Sequence, residues 1–319
     1  MTFVRTVLGD VDPADLGPTY AHEHLVIAGG RPVELFPAFR LDSVDDAVAE
    51  LSPAIALGLG TVVDAMPCDA GRDASMLAAI SRATGVKVIA PTGLHHVRYY
   101  DDRHWSMRLG PEELADLFVA DIVDGIDVHD YAGPVVRRTP FRAGVIKVAG
   151  SEGGPSQRDL PIFEAAAIAR RLTGCPILTH CENGTGAFEQ LASLARHGTD
   201  ARYVTLSHVD KVVDRGYHRE IAATGATLEY DQAFRWGDEP NGTLTLLDWA
   251  VVDGWANHVV LGNDAARRGY WTVHGGAPGL GFLLGPFRDT LRARAIPEAV
   301  IEDLFVANPA RAFAFAEVG

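Results

Sequence analysis

Lys147 has the most unusual setting of any residue in this 319-residue sequence. It lies near the C-terminal end of residues 141–150, a short apolar and partly β-branched run that predicts a buried strand. A charged ammonium is costly to bury, and desolvation favours the neutral amine, which is a nucleophile. Such an amine can take up CO2 to become a carbamate, a two-oxygen anion that can bridge two cations. The alternative is a lysine whose charged end reaches solvent at the end of the strand.

Residues that can bind metal ions also recur in or at the ends of other predicted strands. His22 and His24 lie two residues apart in an extended run, so their imidazoles point to the same face and can bind one metal. Later runs end in a histidine or an aspartate, namely His180, His208, Asp231 and Asp264. Histidine and carboxylate ligands suit zinc, and manganese, cobalt or iron are compatible with the same donors.

Strand-like runs alternate with helical segments along the whole sequence, at residues 17–27, 60–66, 87–93, 141–150, 176–180, 202–208, 226–231 and 258–264. This alternation predicts one α/β domain over residues 1–319, a single (β/α)8 TIM barrel. In that fold the catalytic groups stand at the C-terminal ends of the strands. We therefore expect a metal site there, formed by His22, His24, Lys147, His180, His208 and Asp264.

The segment after the third predicted strand, residues 94–108, is unusually rich in aromatic residues, histidine and arginine. Long irregular segments in compact domains often form binding loops. Two interpretations are open for this one, a pocket wall or a solvated loop with a few anchoring rings, and a dimer interface is a further use. The residues concerned are His95, His96, Tyr99, Tyr100, His104 and Trp105.

The composition is that of a protein with a large core, with 47% hydrophobic and 22% charged residues. The net charge of −14 argues against nucleic acid or an anionic membrane as partner and otherwise indicates only solubility; the expected partner is a small-molecule substrate. Because the sequence has no secretion signal and no long apolar stretch, it predicts a cytoplasmic protein. Cys68, Cys175 and Cys181 lack CxxC spacing, so we expect buried thiols instead of disulfides or a zinc cluster.

Several short motifs occur in a fixed order over nearly the whole chain. They are Ala-His-Glu-His at 21–24, Gly-Arg-Asp at 71–73, Ser-Met-Arg-Leu at 106–109, Arg-Ala-Gly-Val-Ile-Lys-Val at 142–148, Thr-His at 179–180, Ser-His at 207–208, Gly-Asn-Asp at 262–264 and Asn-Pro-Ala-Arg at 308–311. In these motifs and their order the sequence resembles the phosphotriesterase family of the amidohydrolase superfamily. The set is highly specific, although each motif alone is not.

The resemblance implies two metal ions. His22, His24 and Asp264 would bind the more buried ion, and His180 and His208 the more exposed one. Lys147, as a CO2-derived carbamate, and a hydroxide would bridge the two. Two such cations lower the pKa of a shared water and polarise the bond under attack, and Asp264 would take or relay the proton.

The resemblance also places Asp231 at a position that relays protons outward from the metal-bound aspartate. The histidine partner of such a relay is not evident, because His258 opens the eighth predicted strand at the opposite end of the barrel. Asp231 therefore either relays a proton or orients a neighbour.

Arginines near the predicted site bear on the substrate. Arg267 and Arg268 follow Asp264, and Arg235 follows the seventh strand. Arginine recognises carboxylates and phosphates through its forked donors, and structural salt bridges are the alternative. These residues favour a polar or anionic substrate, such as a phosphorylated sugar lactone, over a neutral phosphotriester. Tyr99 or Tyr100 is expected to hydrogen-bond the substrate carbonyl.

The sequence thus predicts a binuclear metal-dependent lactonase, with phosphotriester hydrolysis as a side activity. Three alternatives stay open: an amide or N-acyl hydrolase with the same metal centre, a small-molecule-binding barrel that has lost catalysis, and a single-metal site in which Lys147 is dispensable. The oligomeric state is open too, and a homodimer is compatible with the resemblance.

Overall fold

The computed structural model describes residues 2–237 and 240–317. Its strands are β1 (Val4–Thr6), β2 (Gly9–Val11), β3 (Thr19–Glu23), β4 (Thr61–Asp64), β5 (Lys87–Ile89), β6 (Pro91–Gly93), β7 (Val145–Gly150), β8 (Ile177–Cys181), β9 (Val204–Ser207), β10 (Thr227–Tyr230) and β11 (Val259–Leu261). Its α-helices are α1 (Gly30–Leu35), α2 (Val44–Ala56), α3 (Ala74–Thr84), α4 (Pro111–Val123), α5 (Leu160–Thr173), α6 (Ala187–Arg196), α7 (Arg215–Ala223), α8 (Gly242–Asp253), α9 (Arg288–Ala293), α10 (Glu298–Phe305) and α11 (Ala307–Ala312).

The strands from β3 onward form the predicted parallel barrel. Strands β3, β4 and β5 pair in that order, and β6 to β11 pair in sequence order, all in parallel. The third predicted strand is split at Ala90 into β5 and β6. At the other seam, the backbone N–H of Asp264, just past β11, donates to the carbonyl of His22 in β3 at 3.0 Å. The prediction of a (β/α)8 TIM barrel is confirmed.

Helix boundaries follow local capping residues. The hydroxyl of Ser43 accepts a hydrogen bond from the backbone of Asp46 at 3.1 Å, so α2 begins directly after this N-cap residue. Helix α3 begins at Ala74, because the carboxylate of Asp73 caps it by accepting from the backbone of Ser75 and Met76. Gly85 ends α3 in the left-handed conformation, with φ of 75°.

Apolar side chains fill the barrel interior at its N-terminal end. This apolar plug consists of Val4, Leu16, Ala21, Val63, Ala65, Ile89, Val145, Leu178, Val260, Ala312 and Phe313. Because side chains alternate along a strand, Lys147 follows Val145 as the next inward residue of β7. His180 follows Leu178 in β8 in the same way. The ligand-type residues therefore form the layer directly above the apolar plug.

Lys147 is the third of six residues in β7 and does not stand near its end as predicted. The strand begins at Val145, and the preceding Gly144 lies against the backbone of Arg5, where a Cβ would meet the carbonyl oxygen at 2.0 Å. With 1% of its surface exposed, Lys147 does not reach solvent. That leaves the interpretation of a buried amine.

The cysteine prediction is confirmed, because Cys68, Cys175 and Cys181 are buried and unpaired. Among the described residues, no helix has the length and apolar character needed to cross a bilayer.

Candidate metal centre

The histidines predicted to bind metal meet at the C-terminal ends of the strands. His22, His24, His180, His208 and Asp264 line one cavity of about 320 Å³. The ring centroids of neighbouring imidazoles are 4.5 to 5.5 Å apart, in the order His180, His208, His22 and His24. Sequence reasoning placed these side chains together, and the structure brings them together.

One candidate half-site consists of His22, His24 and Asp264, whose ligand atoms lie within 4.8 Å of one another. The Oδ1 atom of Asp264 is 3.1 Å from Nε2 of His24 and 3.7 Å from Nε2 of His22. Burial opposes ionisation of Asp264, but the hydrogen bond with His24 and the charge of Arg235 hold its pKa well below the usual range. Two imidazoles and an ionised carboxylate are a donor set that suits a divalent cation.

Three of the four histidines contact a carboxylate other than that of Asp264 through one ring nitrogen. The pairs are His208 Nδ1 with Asp231 Oδ2 at 2.5 Å, His180 Nε2 with Glu182 Oε2 at 2.7 Å and His22 Nδ1 with Glu229 Oε2 at 3.3 Å. Histidines that bind metals usually donate their other N–H to a carboxylate, which fixes the tautomer and the ring orientation. In each of the three, the second nitrogen remains for a metal.

Lys147 lies beneath these residues, and its Nζ atom has no hydrogen-bond partner in the described part of the chain. Burial lowers its pKa to about 8, and the carboxylates of Glu229, Asp264 and Asp231 oppose that shift. A buried amine without a partner is costly unless another group completes it. The residues present therefore fit a pair of cations and a carbamate.

Glu229 is a site residue that the sequence reasoning missed. It is fully buried in β10, and its Oε1 atom has no partner among the described residues. Burial and the nearby charge of Asp231 raise its pKa well above the usual range. The sequence did contain a signal for Glu229, because it is an ionisable residue inside an apolar predicted strand. The same kind of feature identified Lys147.

Asp231 contacts His208, as expected for the second of the two roles left open for it, the orientation of a neighbour. Its carboxylate also accepts a hydrogen bond from the side chain of Gln232. His258 is at the other end of the barrel, with Nδ1 3.2 Å from the carbonyl of Ala226. The geometry is therefore that of a residue that orients His208.

The three predicted substrate arginines differ in placement. Arg235 lines the cavity and donates to the carbonyl oxygens of Asp231, Asn263 and Asp264 at 2.5 to 2.8 Å, so it also joins two loops of the cavity wall. Arg268 is exposed, contacts His274 at 3.0 Å and does not line the cavity. The placement of Arg268 corrects the prediction, because spacing in the sequence does not decide where a loop side chain points.

Arg267 does line the cavity, as does Lys211. The Arg267 guanidinium lies 5.3 Å from the centre of the Phe39 ring and has no hydrogen bond or ion pair within the described ranges. Its donors are therefore available to a ligand.

The aromatic loop, residues 94–108, has a cavity side and a buried side. His95 and Tyr99 line the cavity. Tyr100 is buried, and its hydroxyl accepts from the backbone N–H of His95 at 2.8 Å and donates to the carbonyl of Cys68 at 2.9 Å. His104 and Trp105 contact the carboxylate of Asp69, each at 2.9 Å. Of the two tyrosines, Tyr99 is therefore the one at the site.

Exchanging each tyrosine for phenylalanine should separate these roles. Tyr100→Phe leaves two buried backbone groups without a partner, so we expect the free energy of unfolding to fall by about 1–3 kcal/mol in urea titrations. Tyr99→Phe should leave stability nearly unchanged and lower kcat/KM about 2- to 10-fold, the effect of one lost neutral hydrogen bond. Equal losses of stability in the two variants would contradict this assignment.

Comparisons with known proteins agree with the geometry. The family model described as "Phosphotriesterase family" matches residues 2–313. A phospho-furanose lactonase from Mycoplasmopsis synoviae is 35% identical, over 99% of this chain and 92% of its own length. The crystal structure of an amidohydrolase from Mycoplasma synoviae is similar with a TM-score of 0.93 at 33% identity, over 99% of this chain and 93% of that one. A lactonase from Listeria monocytogenes has a TM-score of 0.90 at 26% identity, over 99% of this chain and 100% of its own.

Proposed function

Because this chain belongs to the phosphotriesterase family, we propose that it is a metal-dependent hydrolase that opens a polar or phosphorylated sugar lactone. One observation carries the proposal. Histidines and the carboxylate of Asp264 surround one cavity above Lys147, a buried lysine whose amine has no partner among the described residues, and Arg267 lies on the cavity wall with its donors available. The names of similar proteins support the lactone as the substrate class. Phosphotriester hydrolysis would be a side activity.

In this proposal His22, His24 and Asp264 would hold one divalent ion and His180 and His208 a second, with Lys147 as a carbamate between them. Zinc is the first choice, and manganese, cobalt or iron suit the same donors. When bound, two such ions lower the pKa of a water and polarise a carbonyl. Of the described residues, Asp264 is the ionised carboxylate at the cavity wall and would accept the proton of the attacking water.

The remaining cavity residues would place the substrate. Burial raises the pKa of Tyr99, so its phenol keeps its proton at neutral pH and would donate to the lactone carbonyl. Arg267 and Lys211 give the cavity wall positive charge in a chain whose net charge is −14. An anionic group on the sugar would contact these two residues.

A substrate panel tests the proposed function. Zinc-loaded protein would be assayed against a phosphorylated furanose lactone, the same lactone without phosphate, an N-acyl amino acid and an aryl phosphotriester. We expect the phosphorylated lactone to give the highest kcat/KM. Hydrolysis of the amide without hydrolysis of either lactone would reject the lactonase, and a metal-loaded protein inactive on all four would favour the binding barrel.

Two neighbouring arginines provide a matched test of the phosphate contact. We expect Arg267→Met to lower kcat/KM for the phosphorylated lactone by about 10- to 100-fold, as for a lost hydrogen bond to a charged group. The value for the unphosphorylated lactone should hardly change. Arg268→Met, which removes an exposed guanidinium outside the cavity, should leave both values near those of the wild type. Equal effects of the two changes would contradict a contact between Arg267 and phosphate.

A further inference from the structure

An ion pair joins the aromatic loop to one of the candidate metal ligands. The Nη2 atom of Arg98, in the loop, is 2.5 Å from Oε2 of Glu182, which follows β8. The same Oε2 atom is 2.7 Å from Nε2 of His180. One carboxylate oxygen therefore contacts both the loop and the imidazole.

The contact with Glu182 determines which nitrogen of His180 faces the cavity. A carboxylate oxygen can only accept, so the Nε2 atom that lies 2.7 Å from Glu182 carries the proton of the neutral imidazole and donates it. This tautomer leaves the lone pair of Nδ1 free. Removing the carboxylate would free the ring to take the other tautomer or to rotate.

Arg98 has a second set of contacts, all within the loop. Its Nε atom donates to Nδ1 of His96 at 3.1 Å, and its guanidinium lies 5.9 Å from the centre of the Tyr99 ring. The His95 ring is 4.6 Å from that of Tyr99 and 5.7 Å from that of His180. His95 and Tyr99, the loop side chains that line the cavity, therefore pack close to Arg98, which joins the loop to Glu182.

We propose that Glu182 is a positioning residue for His180, and that Arg98 couples this pair to the aromatic loop. Metal retention at His180 and the order of residues 94–108 then depend on each other. The inference rests on the proposed function, because it requires a metal ion at His180. It adds to that function a contact between the loop that faces the substrate and the metal centre.

The test uses zinc-loaded full-length protein and variants of this contact. Glu182→Ala removes the acceptor, Glu182→Gln keeps a neutral acceptor, and Arg98→Gln removes the tie to the loop. Arg158→Gln is the control. Arg158 forms an ion pair at 2.9 Å with Asp102 of the same loop, and this pair is exposed to solvent and contacts none of the candidate metal ligands. The Arg158–Asp102 pair is exposed, and the partly buried Arg98–Glu182 pair lies in loops outside the apolar core, so all four variants should fold.

Two quantities would be measured, the rate at which zinc is lost to excess chelator and the hydrogen exchange of peptides covering residues 94–108. Loss of a carboxylate behind a metal ligand typically weakens metal binding 10- to 100-fold. We therefore expect Glu182→Ala to release one of two zinc ions about 10- to 100-fold faster, with the other ion unaffected and Glu182→Gln in between. Loop exchange should rise in Glu182→Ala and Arg98→Gln, and Arg158→Gln should match the wild type.

An unchanged rate of zinc release in Glu182→Ala would overturn the inference, even if hydrogen exchange in the loop became faster. Glu182 would then hold the loop through Arg98 without positioning His180. In that case the wild type would still hold two ions and hydrolyse lactones, and the proposed function would stand. A folded wild type that binds no zinc would overturn the proposed function and this inference together.

Discussion

Lys147→Met is expected to abolish lactone hydrolysis, lowering kcat/KM by about 1,000-fold or more. The proposed carbamate would be lost with the amine, and with it the anion that would hold two cations close together. Several kcal/mol of transition-state stabilisation depend on those cations, which corresponds to a loss of this size. Metal analysis of protein purified without added metal or chelator should give about two ions per chain for the wild type and a sharp fall for the variant.

The variant should not fail by unfolding. In the metal-free protein, the Nζ atom of Lys147 is buried without a partner among the described residues, so methionine removes an unsatisfied polar group. We expect the metal-free Lys147→Met protein to be at least as stable to urea as the metal-free wild type. Lys87→Met, at the start of β5, is the control for loss of a strand lysine and should keep full activity.

The carbamate itself can be tested through its carbon source. Metal-free wild type reconstituted with zinc in CO2-depleted buffer should regain activity slowly or incompletely, and bicarbonate should restore it. A Lys147→Met variant that keeps full activity with one ion per chain would instead establish the single-metal alternative.

Asp264→Asn should be the second most damaging change. The amide keeps an oxygen that can bind a metal but is a far weaker base, so most of the metal should remain. A positioned general base contributes about 100- to 10,000-fold to a rate, and we expect kcat to fall within that range. Metal analysis and steady-state kinetics on the same preparation would separate the two effects.

A surface aspartate provides the control for this change. Asp253 pairs with Arg215 far from the cavity, and Asp253→Asn should leave kcat unchanged. If Asp264→Asn loses its metal in proportion to its activity, Asp264 is a ligand without a separate role as base. Activity near that of the wild type would exclude both roles.

The grouping of the candidate metal ligands could be predicted because their positions follow from local rules. The alternation of side chains along a strand, combined with the barrel, brings His180 and Lys147 to one face and one end, whatever the loops do. The exact place of Lys147 within β7 was not predictable, because the apolar run 141–150 does not show where pairing with the neighbouring strands begins.

Such rules could not predict which side chains around the candidate centre face the cavity. Arg267 and Arg268 are adjacent and chemically identical, yet only Arg267 lines the cavity. Tyr99 and Tyr100 differ in the same way, because the buried carbonyl of Cys68 accepts a hydrogen bond from the hydroxyl of Tyr100. Which side chain faces a cavity is decided by partners from other elements, and their identity is not written in the spacing of nearby residues.

The apolar plug also constrains how the centre can be assembled. Lys147 lies between the plug and the five cavity-lining ligands, so within the described residues the route from solvent to its amine passes the ligands. CO2 would therefore have to pass the positions where cations would bind. Ions that arrived first would narrow that route, so the carbamate would form more slowly in a metal-loaded chain than in a metal-free one.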